Sequence, residues 1–293
     1  MCEFLLRSLP SRMTTEYGGS TTCIEIDTAD ETIVLDAGGG LVELGYDLMR
    51  RVKVDESKRK VHLLFSHCHI DHLFALPLIP PFYDPRFEIT LSAAESVMRA
   101  IEAVMAKDSP VRGTLFPTTL DRLAGIREYR TIAAGDEFKL GGTRVSTFAL
   151  NHPGGAVGYR FERGGKVVVL ATDHEHLAAP DSALADFARD ANLLYTDGQY
   201  SEDEYLGKVG VNGDTPLSRV TWGHSAVERV AATACAAGVK RLHIGHHDPR
   251  RSDEALYDLE VLAKASVARL AIGTHAKHPP ETCLVREGMS IEI

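Results

Sequence analysis

Four residues able to hold a metal ion sit within the segment Ser66-His67-Cys68-His69-Ile70-Asp71-His72: His67, His69, Asp71 and His72. The segment follows the apolar run Val61-His62-Leu63-Leu64-Phe65, which reads as a buried strand. The ligand-rich residues therefore fall at a strand's carboxyl end, where α/β proteins place their chemistry. In an extended exit, His67 and His69 point to the same side and can share one metal. Asp71 and His72 lie further on and can reach a second. Neutral imidazole and carboxylate suit zinc, iron and manganese. No packing need explains four such side chains together.

Further polar islands follow other apolar runs. Asn151-His152-Pro153 ends Thr143–Leu150, and Thr172-Asp173-His174 ends Val167–Ala171. Asp197 ends Leu193–Thr196, and His246-His247-Asp248 ends Leu242–Ile244. One strand ending in His or Asp is unremarkable, but this set forms a constellation.

The elements that must position these residues are legible as alternating periodicities. Thr22–Ile26 and Thr32–Leu35 read as a hairpin pair, closed by Asp36-Ala37-Gly38-Gly39-Gly40. Leu41–Val52 carries a helical apolar period, and Val61–Phe65 is the strand before the ligand segment. Pro77, Pro80, Pro81 and Pro85 mark irregular chain. Ser92 to Lys107 reads as a helix, with Ser92 as N-cap and Glu95 three residues on. Strands are expected at Glu137–Leu140, Thr143–Leu150, Val157–Glu162, Lys166–Ala171, Leu193–Thr196 and Arg241–Ile244. Helices are expected at Asp181–Arg189, Ser225–Ala237 and Asp253–Leu270, with closing strands at Cys283–Arg286 and Met289–Ile293. Two strand-rich halves, each followed by helices, imply two packed sheets with helices outside. No repeat or low-complexity linker divides residues 1–293, so one domain is expected.

Composition narrows the function classes. A net charge of −9 argues against broad nucleic-acid binding; the basic stretches Arg50-Arg51 and Lys58-Arg59-Lys60 are short enough to be solvated loops. No apolar run is long enough to span a bilayer. Met1–Arg7 is too short and too charged for a signal-peptide core. Cysteines at 2, 23, 68, 235 and 283 make no disulfide framework, which fits a reducing cytoplasm. Cys68 alternates away from His67 and His69 and reads as packing, with a thiol that could make the site sensitive to oxidation.

The pattern H-x-H-x-D-H at His67, His69, Asp71 and His72, followed in order by His152, Asp173 and His246, resembles the metallo-β-lactamase superfamily. The resemblance runs from Tyr17-Gly18-Gly19-Ser20-Thr21 to Arg286-Glu287-Gly288-Met289. It implies an αββα sandwich and a dinuclear centre, with two divalent metal ions, zinc first and manganese or iron as alternatives. One metal would take His67, His69 and His152, and the other Asp71, His72 and His246, with Asp173 bridging. Asp36 would support the site through hydrogen bonds.

Local features resemble the phosphodiesterase branch, which holds ribonuclease Z and cyclic-phosphate or cyclic-nucleotide hydrolases. Asp173 stands where many true β-lactamases carry cysteine. Trp222-Gly223-His224-Ser225-Ala226 is similar to that branch's G-H-S-T segment, whose histidine contacts the scissile phosphate, although Ala226 replaces the threonine. His246-His247-Asp248-Pro249-Arg250 resembles its terminal H-x-x-P segment, and Asn151-His152-Pro153-Gly154-Gly155 with Gly158-Tyr159-Arg160 is another local match. A basic insertion for gripping tRNA is not apparent.

The chemistry implied is hydrolysis. Two metals can hold a bridging hydroxide and the non-bridging oxygens of a phosphodiester. Asp71, Asp173 and His224 are the expected catalytic residues, His224 neutralising a phosphoryl oxygen or protonating the leaving alkoxide. Asp197 and the backbone around His174 are candidates for orienting ligand imidazoles. His174, His176 and His247 are read as near the site but not ligands. Arg160, Arg250 and the Trp222 indole are candidate pocket contributors, with pocket shape set by Phe74–Phe87 and Pro110–Leu120. The expected partner is a small-molecule phosphodiester, such as a cyclic nucleotide or cyclic phosphate. A thioesterase or lactonase of the same fold is the alternative. A diiron redox protein of this fold would carry glutamate where His69 stands, and a non-catalytic scaffold would have lost ligands. No extended nucleic-acid contact and no membrane are expected, and a homodimer stays open.

Overall fold

The computed structural model describes residues 16–111, 118–274 and 279–293. The N-terminal segment with Cys2, and part of the 110–120 stretch, lie outside them. The chain forms two compact units.

The first unit spans Ser20–Thr147. Its sheet holds β1 (Ile24–Asp27), β2 (Thr32–Leu35), β3 (Lys60–Leu64), β4 (Glu88–Ala94) and β5 (Ile126–Ile132) in sequential order. The β1–β2 pair is antiparallel, while β2, β3, β4 and β5 run parallel. Parallel neighbours end at the same edge, so the residues after β2 and β3 emerge side by side. That edge receives Asp36 and the His67–His72 segment. Helix α1 (Gly40–Val54) buries Leu41, Leu48 and Val52, at the i, i+7 and i+11 spacing of one helical face. A single turn, α2 (Ile70–Leu73), carries Asp71 and His72, and a second, α3 (Pro80–Tyr83), opens on its prolines. Helix α4 (Glu95–Met105) buries Val97, Ile101 and Met105. These faces share one core with Val34, Leu63, Ile89 and Leu91. Each fully buried Val or Leu contributes roughly 1.5–3 kcal/mol. Cys68 packs against the same core, as its alternation implies.

The expected helix over Ser92–Lys107 is corrected at its start. Ser92 lies in β4, and the N-cap is Ala94, without a side-chain cap. Pairing of Ser92 with Leu64 and Arg130 on the neighbouring strands overrides the local capping signal. The strands β4 and β5 were not expected from periodicity.

The second unit holds Phe148–Ile293 with the described residues before Ser20. Strand β6 (Glu137–Leu140) pairs antiparallel with β7 (Thr143–Leu150), and β7 carries the chain from one unit into the other. There follow β8 (Ala156–Arg163), β9 (Lys166–Ala171), β10 (Leu193–Asp197), β11 (Arg241–Gly245) and β12 (Glu281–Leu284). The strand order is β12-β11-β10-β9-β8-β7-β6. The β8–β9 pair is antiparallel, and β9 to β12 are mutually parallel. Here too, three neighbouring strands end together, and Asp173, Asp197 and His246 stand at those ends. Helices α5 (Ser182–Phe187), α6 (Glu202–Tyr205), α7 (Val227–Ala237) and α8 (Asp253–Thr274) complete this unit. Val227, Val230, Ala231 and Ala234 of α7 pack with Leu256, Leu259 and Ala263 of α8 and with Val169, Leu194 and Ile244 of the strands. Met289–Ile293 forms no strand; its alternation of polar and apolar residues has no ladder partner.

The fold thus comprises two mixed sheets flanked by helices, as expected. Among the described residues no helix is long and apolar enough to cross a membrane, and Cys23, Cys68, Cys235 and Cys283 are free thiols.

Candidate metal and catalytic clusters

The first cluster is built around the buried Asp36, which leaves β2 with φ of +65°. Aspartate tolerates that left-handed conformation better than most residues. Its carboxylate accepts from the Ser66 amide at 2.8 Å and the Ser66 hydroxyl at 2.7 Å, and lies 2.8 Å from His72 Nδ1. The Ser66 hydroxyl, having given its proton to Asp36, can only accept from His67 Nδ1, 2.9 Å away. Nδ1 therefore carries the proton in both His67 and His72. The Nε2 lone pairs are left for a metal. His72 Nε2 stands 3.2 Å from Asp71 Oδ2, and the His67 ring centroid lies 4.6 Å from that of His69 and 4.2 Å from that of His72. Thr21 pins this segment: its hydroxyl donates to the Asp71 carbonyl at 2.6 Å and accepts from the Gly39 amide at 2.8 Å. His67 and His72 are buried, whereas His69 is exposed.

The second cluster gathers residues far apart in sequence. Asp173 leaves β9, and His246 leaves β11, each with φ of +55°. Asp173 Oδ1 lies 3.4 Å from His246 Nε2, and Oδ2 lies 3.8 Å from His152 Nε2. Each carboxylate oxygen thus faces a different imidazole, the arrangement a bridging ligand needs. The Gly223 carbonyl, 3.0 Å from His152 Nδ1, can only accept, so this Nε2 too keeps its lone pair. His246 Nδ1 is held at 2.7 Å by the Gln199 side-chain amide, whose oxygen and nitrogen ends can exchange to take the proton. The donor set therefore fits borderline divalent metals.

His224 is anchored differently. Its Nδ1 is 2.7 Å from Asp197 Oδ2, its ring stacks on His246 at 5.1 Å and 17°, and it meets His152 edge-on at 5.3 Å. Asp173, His224 and His246 offer ligand atoms within 4.8 Å of one another. Burial pushes the Asp197 carboxyl up, and the hydrogen bond with His224 opposes that shift. Asp197 was expected to orient ligand imidazoles; instead it grips the histidine read as a non-ligand. Ala226 is the N-cap of α7 and supplies no side-chain cap.

The remaining histidines face other partners. His174 Nδ1 accepts from the Asn151 amide at 2.9 Å and its Nε2 is 3.0 Å from Asp181. His176 Nδ1 is 2.6 Å from the Ser225 hydroxyl, and burial drives its pKa down to about 3. His247 Nε2 donates to the Val285 carbonyl. Arg160 is bound to Glu162 and to the Phe187 and Arg189 carbonyls, and Arg250 to Asp248 and Asp214. Both guanidiniums are already committed. Trp222 is half exposed, with the buried Arg219 guanidinium 4.5 Å from its ring. Sequence reasoning overlooked Ser66, Gln199 and Glu175, because hydrogen-bonding residues have no signature spacing.

A family model described as a beta-lactamase superfamily domain matches residues 31–247. No curated protein matches the sequence. Among solved structures, the metallo-beta-lactamase fold protein YhfI from Bacillus subtilis is 16% identical, with TM-score 0.61 over 94% of this chain and 95% of that one. Unliganded yeast PDE1 is 12% identical, with TM-score 0.62 over 94% and 95%. A diphosphatase from the PhnP family is 15% identical, with TM-score 0.59 over 93% and 84%. The matched segment contains both clusters of candidate ligands, and the chain belongs to the beta-lactamase superfamily as a hydrolase of the metallo-β-lactamase fold.

Proposed function

We propose that the protein is a metal-dependent phosphodiesterase acting on a small phosphodiester, such as a cyclic nucleotide or cyclic phosphate. The observation that carries this reading is the Asp197–His224 pair standing 2.7 Å apart beside Asp173 and His246. Divalent metals would be held by His67, His69, Asp71 and His72 of the first cluster and by His152, Asp173 and His246 of the second. So bound, they would supply Lewis-acid polarisation of a phosphoryl oxygen and an acidified water. Every other element of the proposal belongs to the chain itself.

Asp197, fully buried, fixes the Nδ1 side of His224. The side chain of His224 remains 15% exposed, so its other nitrogen can meet a substrate oxygen. From there it can neutralise a phosphoryl oxygen or protonate a departing alkoxide. A thioesterase or lactonase of the same fold would use similar metal ligands, so the fold does not choose between these classes; the His224 segment is what favours the phosphodiesterase. The similarity to a diphosphatase supports phosphate chemistry, and the net charge of −9 favours a short phosphodiester over a long one: a short anion can be met by metals alone, whereas a long polyanion needs an extended positive track. The cytoplasm remains the expected compartment.

The deciding experiment is a turnover panel with zinc- or manganese-loaded protein: a bis-aryl phosphodiester, cyclic nucleotides, a thioester and a lactam. Phosphodiester turnover well above the rest is the expected result. Thioester or lactam turnover far above phosphodiester turnover would overturn it.

A further inference from the structure

We propose that Glu175 is the positioning residue that locks His152 and His224 into one arrangement. The proposal rests on the reading that these two histidines serve one reactive centre.

Glu175 is 3% exposed, and both its side chain and its backbone are engaged. Oε1 accepts from the Thr221 amide at 2.7 Å and the Tyr205 hydroxyl at 2.6 Å, and Oε2 accepts from the Gly223 amide at 3.0 Å. The carboxylate therefore holds the amides on either side of Trp222. Its backbone amide donates to the Asn151 carbonyl at 2.9 Å, and its carbonyl accepts from the Asn151 side chain at 2.9 Å. Asn151 directly precedes His152. One residue thus clamps His152 from its own strand end and, across the ring, from the loop that carries its hydrogen-bond acceptor.

That loop would not hold this shape unaided. Thr221 has φ of +71°, which β-branched residues avoid and which persists only where the surroundings enforce it. Gly223 has φ of +86°, and a Cβ there would stand 2.2 Å from His152 Nδ1 and 2.4 Å from Pro153 Cδ. The backbone is pressed against the imidazole so that the Gly223 carbonyl can take the Nδ1 proton. His224 is the next residue, so any relaxation of Thr221–Gly223 moves the His152 acceptor and the His224 ring together. A charged acceptor making three hydrogen bonds is what opposes that relaxation.

The test uses Glu175→Gln, which keeps shape but replaces one acceptor oxygen with an amide that repels an N–H. Zinc affinity is read by competition with a chromophoric chelator, and the His152 tautomer by imidazole 15N shifts of the metal-free protein. Zinc affinity should fall ~10–100-fold, as on losing an outer partner of a ligand, and the His152 signals should lose their Nδ1–H signature. Tyr205→Phe leaves both amide contacts in place and should change neither. Adding Thr221→Gly, which removes the strain, should recover part of the affinity lost in Glu175→Gln. Should Glu175→Gln not fold, Glu175→Asp keeps the charge but shortens the reach and makes the same comparison. Unchanged affinity and imidazole shifts in the Glu175 variant, or an equal loss in Tyr205→Phe, would overturn the proposal. Neither readout involves substrate, so failure of the phosphodiesterase reading leaves this test standing.

Discussion

The two clusters of candidate ligands are organised by opposite means. In the first, one short segment, Ser66 to His72, brings nearly every group, and a single partner from β2, Asp36, orients it. In the second, His152, Asp173, His224 and His246 arrive from separate strand ends and a loop, and each is held by its own partner: Gly223, Thr172, Asp197 and Gln199. A contiguous motif needs one organiser, whereas a dispersed cluster needs one per member. The dispersed cluster should therefore fail piecemeal, and the contiguous one should respond to a single supporting residue.

The largest effect should come from Asp173→Ala. Removing the carboxylate that faces both His152 and His246 is expected to abolish hydrolysis and lower metal content. Full metal occupancy by elemental analysis, with activity intact, would break the comparison by showing that the dispersed cluster is not a ligand set.

His224→Ala comes next. Turnover should drop ~10²–10⁴-fold, the usual worth of general acid catalysis, with both metals retained. Loss of metal would make His224 a ligand, an outcome that its proximity to Asp173 and His246 renders a real alternative.

Asp36→Ala should act on the contiguous cluster alone. It strips the partner of His72 and, through Ser66, of His67, so metal affinity should weaken ~10–100-fold. A loss no larger than that from Gln199→Ala, which touches only His246, would show that the first cluster is not organised from one point.

The smallest effect lies outside both clusters. The hydrogen bond from His174 lowers the Asp181 pKa to about 2. A depressed carboxylate stabilises the fold above its unfolded value, roughly 3.9, and that contribution disappears as pH falls through about 2. Asp181→Asn should cost about 1 kcal/mol at neutral pH for this partly exposed pair. The difference from the unmodified protein should shrink below pH ~4. A difference that stays constant in acid unfolding curves would exclude this linkage.

Legibility in the sequence followed the same division. The strand ends were visible because apolar runs terminate abruptly in His or Asp, and β2, β3, β7, β9, β10 and β11 lie within a few residues of where periodicity puts them. The unforeseen β5, Ile-Arg-Glu-Tyr-Arg-Thr-Ile, exposes its five central residues to differing degrees at a sheet edge, so no apolar run or clean alternation announces it. Ser92 was misread because Ser-Ala-Ala-Glu satisfies a capping pattern locally, while strand pairing claims it.

What the sequence determined by itself was the identity of the donor groups and their placement after strands, since both follow from residue type and short-range period. What only the tertiary structure decided was which acid meets which histidine. Asp197 could have supported any imidazole; it meets His224 because β10 ends beside the loop that carries it. Glu175, the residue after the Thr172-Asp173-His174 island, becomes a clamp only when Thr221 and Gly223 fold back over it. The strained φ angles at Asp36, Asp173, Thr221 and His246 belong to the same class. They are imposed by packing and hydrogen bonding between segments distant in sequence, and a local pattern carries no record of such partners.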